Sequence, residues 1–140
     1  MLTLECPVSE TIVDHARAGR PHEVCGILGG DHGTDASHAS AVEPTENIAE
    51  QPRTEYEIAP QEQFDAMEAI EARGDDIVGF YHSHPAAPPG PSTTDAAQAT
   101  WPDYSYVIVS FERTDAAVGS WRWTGEEFVE ETVEIKSDEF

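Results

Sequence analysis

Apolar and polar residues alternate over Met1–Glu5, which predicts a short edge strand. Ser9 then stands as a possible cap for a helix running to about Ala18, with Ile12, Val13 and Ala16 inward, Gly19 as the stop and Pro21 beyond it. The apolar run Val24–Leu28 reads as a buried strand ending at Gly29-Gly30, followed by a turn over Asp31–Thr34 and a strand over Ala36–Val42. Glu43–Arg53 is polar and holds two prolines, which predicts a loop, and Glu55–Ile58 starts another strand. Pro60–Arg73 carries an apolar stripe of Phe64, Met67, Ala69, Ile70 and Ala72, has proline in its first turn and ends at Gly74, the signs of a helix. A strand over Ile77–Tyr81 runs directly into His82 and His84. Four prolines and one glycine in the seven residues Pro85–Pro91 exclude regular structure there. Ser92 begins a helix to about Thr100, Tyr104–Ser110 is a strongly apolar strand, and Ala116–Thr124 with Glu127–Ile135 forms an antiparallel pair turning at Gly125. Ser137–Phe140 is expected to fray.

Strands and helices in this mixed order predict an α/β (α+β) sandwich, one mixed sheet with helices around it. With neither a repeat nor a linker, residues 1–140 are expected to be a single domain. No apolar run reaches the roughly 18 residues needed to cross a bilayer, and no secretory leader is visible, so a cytoplasmic protein without membrane contact is expected. The charge changes this picture most: 28 acidic residues against 7 basic leave a net charge of −21, and Lys136 is the sole lysine. Such a surface repels nucleic acid and anionic membranes. The acids are spread along the chain, which suits adaptation to a high-salt cytoplasm, where at about 1 M salt the Debye length falls to about 3 Å. Cys6 and Cys25 form no C-x-x-C, which excludes a cysteine zinc ribbon; buried free thiols are expected, with a disulfide the alternative.

The chemistry lies in the stretch Tyr81–Asp95, YHSHPAAPPGPSTTD: His82-x-His84, seven residues, then Ser92-x-x-Asp95. Residues two apart on a strand point to one face, so both imidazoles can reach one metal ion. Asp95, in the first turn of the next helix, is favoured in its ionised form by the helix dipole. Two imidazoles and a carboxylate are the three-ligand complement of a catalytic zinc site with an open fourth position; iron or manganese could substitute. Glu23, in the run PHEVCGILGG, supplies a general base. Each element taken singly has a plainer reading: a His-x-His pair is commonly incidental, Ser92-x-x-Asp95 is also a helix N-cap signature, and Glu23 is also a surface charge. Their joint occurrence favours the metal site. His15, His22, His32 and His38 make no comparable set and are expected at the surface.

With these residues in view, the chain resembles the JAMM (MPN+) metalloproteases. Their signature is an upstream Glu, His-Ser/Thr-His-Pro, seven residues from the second His, then Ser-x-x-Asp, here Glu23, His82-Ser83-His84-Pro85 and Ser92-Thr93-Thr94-Asp95. Glu23-Val24-Cys25-Gly26 is similar to the family's Glu-x-Cys-Gly as well. The resemblance implies a mixed sheet sandwiched by helices, of cytidine-deaminase-like architecture, in a short archaeal or bacterial form. It implies one catalytic Zn2+ held by His82, His84 and Asp95, with Glu23 as base and Ser92 aiding the oxyanion. The implied substrates are ubiquitin-like modifiers of the small archaeal (SAMP) type and their lysine-linked conjugates, cut after the Gly-Gly tail. Three other readings stay open: a peptidase that trims C-terminally extended sulfur carriers, a non-catalytic binding scaffold, and a small-molecule metallohydrolase, for which no feature of the sequence speaks.

Overall fold

The computed structural model describes residues 1–112 and 115–137. In chain order the elements are β1 (Leu2–Glu5), α1 (Cys6–Gly19), β2 (Cys25–Asp31), β3 (Ser37–Thr45), α2 (Pro60–Ala72) and β4 (Asp76–His84). They continue with α3 (Thr93–Gln98), β5 (Ser105–Glu112), β6 (Asp115–Trp123), β7 (Phe128–Glu131) and β8 (Val133–Lys136). The strands form one mixed sheet in the order β7-β6-β5-β4-β2-β3-β1-β8. The expected mixed α/β sheet with surrounding helices is therefore what the chain adopts.

Strand alternation sorts the core into two layers. Leu28, Tyr81, Val107 and Val109 pack with Leu2, Leu4, Val8, Ile12 and Ala16, so α1 covers one face of the sheet. Ile27, Phe80 and Tyr106 pack with Ile70, Trp123 and the half-buried Ala96 and Ala99, so α2 and α3 lie over the other. Gly26 is required at the centre because a Cβ there would collide with the Tyr81 ring, and a Cβ at Gly79 would collide with the Ser105 carbonyl. These two glycines let β2 and β5 lie close to β4.

Five expectations need correction. Helix α1 begins at Cys6, not Ser9; Pro7 in its first turn presets φ, and Ser9 is buried against the core instead of capping. Strand β1 is internal, flanked by β3 and β8, because period-2 alternation reports a buried face but not the number of neighbours. Strand β3 extends through Pro44 to Thr45; its pairing with β1 ends at Ala39, leaving an open edge where proline is tolerated. Glu55–Ile58 is not a strand: the Asn47 side chain takes the backbone groups of Glu55 and Glu57 that a ladder would use. The final strand breaks at Thr132, with β7 staying on β6 while β8 crosses to run parallel to β1. The fraying expected of Ser137–Phe140 falls mostly outside the described residues.

That last break fixes the shape. β7 and β8 are opposite edges of the sheet order, yet only Thr132 separates them in the chain, so the sheet must curl until its edges nearly meet. Glu131 clasps the seam. Its carboxylate, 5% exposed, accepts from Ser105 Oγ and Ser120 Oγ at 2.7 Å and Arg122 Nε at 3.0 Å, and pairs with the Met1 amino group at 3.1 Å. Arg122 extends the clasp to the Gly33 and Asp103 carbonyls and to Ser37 Oγ. Burial alone would raise the Glu131 pKa, but these donors outweigh it and hold the carboxyl below its ordinary 4.5. Its stabilisation is thus present above about pH 4.5 and lost as pH falls through the depressed folded value. Glu131→Ala should cost about 3 kcal/mol, because it removes the carboxylate that pairs with the half-buried Arg122 and accepts from Ser105 and Ser120. Denaturant unfolding at pH 7 and pH 3 checks this; the mutant's deficit should shrink in acid.

Candidate metal centre and catalytic groups

His82 and His84 end β4 on the face it shares with Phe80, the α2 and α3 side. Both are 1% exposed, and their Nε2 atoms face each other at 3.2 Å. Asp95 closes the group, with Oδ2 at 3.0 Å from His84 Nε2 and 3.2 Å from His82 Nε2. The turn that delivers Asp95 is fixed by a capping box: Ser92 Oγ accepts from the Asp95 amide at 3.0 Å, and Asp95 Oδ2 accepts from the Ser92 amide at 2.9 Å. The cap signature of Ser92-x-x-Asp95 is therefore realised in the same turn that places Asp95 against the two histidines. The Ser92 oxygen is occupied as an acceptor, while its O–H can still donate.

The proline-rich segment orients His84. Its Nδ1 donates to the Pro88 carbonyl at 2.9 Å, which leaves Nε2 as the atom facing inward. Ser83, on the other face of β4, ties this strand to the start of β2. Its Oγ accepts from the Val24 amide at 2.9 Å and its amide donates to the Val24 carbonyl at 3.1 Å. Glu23, one residue earlier, is thereby carried to the histidines. Glu23, His82 and His84 offer ligand atoms that all lie within 4.8 Å of one another. The Glu23 amide donates to Pro52 at 2.6 Å and its carbonyl accepts from Asn47 Nδ2 at 2.9 Å, so the segment after β3 holds it from behind.

Burial is the largest single influence on the electrostatics of these groups. Glu23 is 3% exposed, and its Oε1 has no hydrogen-bond partner among the described residues. Burial, resisted by the His84 charge and reinforced by those of Asp95 and Glu55, pushes its pKa up to about 8. Burial also lowers the pKa of His82. For His84 burial acts downward, but hydrogen bonds to Asp95 and Pro88 and the nearby carboxylate charges prevail and raise it. For Asp95 burial acts upward, yet the two imidazoles and the Ser92 amide carry its pKa well below the carboxylate range.

Two imidazole nitrogens and a carboxylate oxygen thus converge to 3.0–3.2 Å of one another, held without metal by imidazole N–H hydrogen bonds. A tetrahedron with metal–ligand bonds of about 2.0 Å has edges of about 3.3 Å, so the spacing and donor types fit zinc. All five residues singled out in the sequence, Glu23, His82, His84, Ser92 and Asp95, come together here.

The other histidines are less exposed than expected. His22 is exposed, but His15, His32 and His38 are half-buried and pair with Tyr81, Asp103 and Glu5. No disulfide joins the two cysteines; Cys25 is buried and Cys6 half-buried. Asn47, Tyr56 and the Pro88 carbonyl support the site without a mark in the sequence, and Ser83, quoted only as part of the signature, proves to tie β4 to Val24. Strand alternation could have pointed to Ser83, which faces away between two inward histidines. Tyr56 stacks on His82 and also walls a cavity of about 380 Å3 shared with Ile58, Phe80, Gln98, Trp101 and Tyr106. Among the described residues no helix is long and apolar enough to cross a membrane.

A family model described as prokaryotic homologs of the JAB domain matches residues 6–124. Along 96% of each sequence the chain is 45% identical to a desampylase of Haloferax volcanii. It is 37% identical to a CysO-cysteine peptidase of Mycobacterium tuberculosis, over 79% of this chain and 73% of that one. A solution structure from Desulfitobacterium hafniense superposes with a TM-score of 0.88 at 32% identity, covering 99% of this chain and 94% of the other. The matched span holds the whole site from Glu23 to Asp95, and on these grounds the chain belongs to the prokaryotic JAB-domain family, the JAMM type expected from its motifs.

Proposed function

We propose that this protein is a zinc-dependent isopeptidase that cuts after the Gly-Gly tail of ubiquitin-like modifiers of the SAMP type, releasing them from lysine side chains. The observation that carries the reading is the convergence of His82, His84 and Asp95 beside the buried Glu23 carboxylate, whose Oε1 has no partner among the described residues. The similarity to the Haloferax desampylase supports the substrate class.

His82 Nε2, His84 Nε2 and Asp95 Oδ2 would hold the zinc. Bound there, zinc supplies Lewis-acid polarisation of the scissile carbonyl and brings the pKa of water down to about 7. A cation beside Glu23 favours its ionised form, so the carboxylate, protonated at neutral pH without metal, becomes a base. Glu23 Oε1 takes a proton from the attacking water as the water oxygen bonds to the carbonyl carbon. It passes that proton to the lysine nitrogen as the C–N bond breaks. The Ser92 O–H, left free by its capping role, donates to the oxygen on which charge develops. Trp101, partly exposed beside the Tyr56 cavity, offers apolar contact to a modifier, a mode of docking that tolerates the salt this acidic surface suits.

A second reading, a peptidase that trims C-terminally extended sulfur carriers, is favoured by the similarity to the CysO-cysteine peptidase. One assay separates the two: a diglycine-tailed modifier linked to lysine, and the same modifier carrying a C-terminal extension, each incubated with zinc in dilute and in molar salt. Cleavage of the lysine conjugate, abolished by chelator, is the expected result. Cleavage of the extension alone would move the assignment to the second reading, and activity confined to molar salt would support the high-salt adaptation.

Glu23→Gln should retain zinc and lower turnover by about 10²–10⁴-fold; turnover near the parent's would remove Glu23 as the base. His84→Ala and Asp95→Ala should lose both metal and activity, and unchanged zinc content by atomic absorption would refute their place among the ligands. Glu23 also sets a pH dependence in the metal-free protein. Its raised folded pKa means that the folded state binds the extra proton, so stability falls as pH rises from about 4.5 to about 8. In chelator, Glu23→Gln should therefore raise the melting temperature more at pH 8 than at pH 5, an effect that thermal melts at the two pH values would read.

A further inference from the structure

We propose that Tyr56 positions the His82 imidazole by stacking, in place of the hydrogen bond that ordinarily orients a metal-binding histidine. The inference rests on the reading of His82, His84 and Asp95 as metal ligands. A histidine in such a site almost always donates its second ring N–H to a carbonyl or carboxylate, which fixes the ring. His84 follows that rule, with Nδ1 on the Pro88 carbonyl at 2.9 Å. His82 does not: its Nδ1 is buried and has no partner among the described residues. What lies against His82 instead is the Tyr56 ring, with centroids 4.4 Å apart and planes inclined by 22°, a stacked pair.

The segment carrying Tyr56 has no ladder to hold it, yet it is fixed on both sides. Asn47 Nδ2 donates to the Glu55 carbonyl at 3.0 Å, and Asn47 Oδ1 accepts from the Glu57 amide at 3.0 Å. The Ile48 amide donates to the Glu57 carbonyl at 2.9 Å. The residues before and after Tyr56 are thus pinned by one side-chain amide, whose Nδ2 also donates to the Glu23 carbonyl at 2.9 Å. Asn47 thereby sets the tyrosine ring and the backbone of the proposed base in one frame. Stacking fixes the plane of the His82 ring, and with it the aim of Nε2, without consuming Nδ1.

The test compares Tyr56→Phe, which keeps the ring, with Tyr56→Leu, which keeps apolar bulk without a ring plane. Zinc affinity of the metal-free proteins is measured by competition with a chromophoric chelator, beside metal-free thermal melts. Tyr56→Phe should bind zinc as the parent does, and Tyr56→Leu about 10–100-fold more weakly, the usual loss when a ligand's supporting partner is removed. Parental affinity in Tyr56→Leu would overturn the proposal. So would an equal loss in Tyr56→Phe, which would assign the effect to the hydroxyl, or loss of a cooperative metal-free melt in Tyr56→Leu alone, which would make Tyr56 a core residue. A parent that takes up no zinc would instead bring down the metal-centre reading on which this one stands.

Discussion

The site depends on the antiparallel ladder between β2 and β4. Pairing Cys25 with His82 and Gly26 with Tyr81 sets which part of the N-terminal half faces the histidines. Ser83 locks the end of that ladder with two bonds to Val24, so Glu23 has little freedom to lie elsewhere. A one-residue slip would turn Phe80, His82 and His84 to the α1 face and Tyr81 into the site. Gly26 favours the observed register, since a Cβ at that position would collide with the Tyr81 ring.

The same ladder creates an electrostatic burden. Without metal, a carboxyl with one oxygen unpartnered among the described residues and two imidazoles lie buried together, and burial shifts Glu23 and His82 toward their neutral forms. Asp95 relieves part of this by accepting from the Ser92 amide at the start of α3, where the capping box leaves its Oδ2 directed at both rings. A cation among these donors would favour the charged form of each acid. Folding and metal binding are on that reading linked, with the fold holding open an arrangement that is poor in isolation and good once filled.

Away from the site, the clasp at Glu131 closes a curled sheet whose edges β7 and β8 are joined through Thr132. It matters to function through β5, which supports β4 in parallel register as far as His84 and Ser110. Ser105, at the start of β5, donates to Glu131, so the seam and the strand under the histidines share one network.

The sequence by itself determined the mixed α/β class, the helix over Pro60–Ala72, the apolar strand that delivers His82 and His84, and the five residues of the candidate site. Those features are local: period-2 and helical patterns, proline and glycine punctuation, and a capping signature leave their mark within a few residues. Only the tertiary structure decided what touches what. Thr132 broke the last strand, Asn47 took the backbone groups that would have made Glu55–Ile58 a strand, and Tyr56 came to lie on His82. It also buried His15, His32 and His38 more deeply than their surroundings in the chain implied. Each of these outcomes depends on pairing between segments far apart in sequence, whose strength is set by packing and by the satisfaction of buried polar groups.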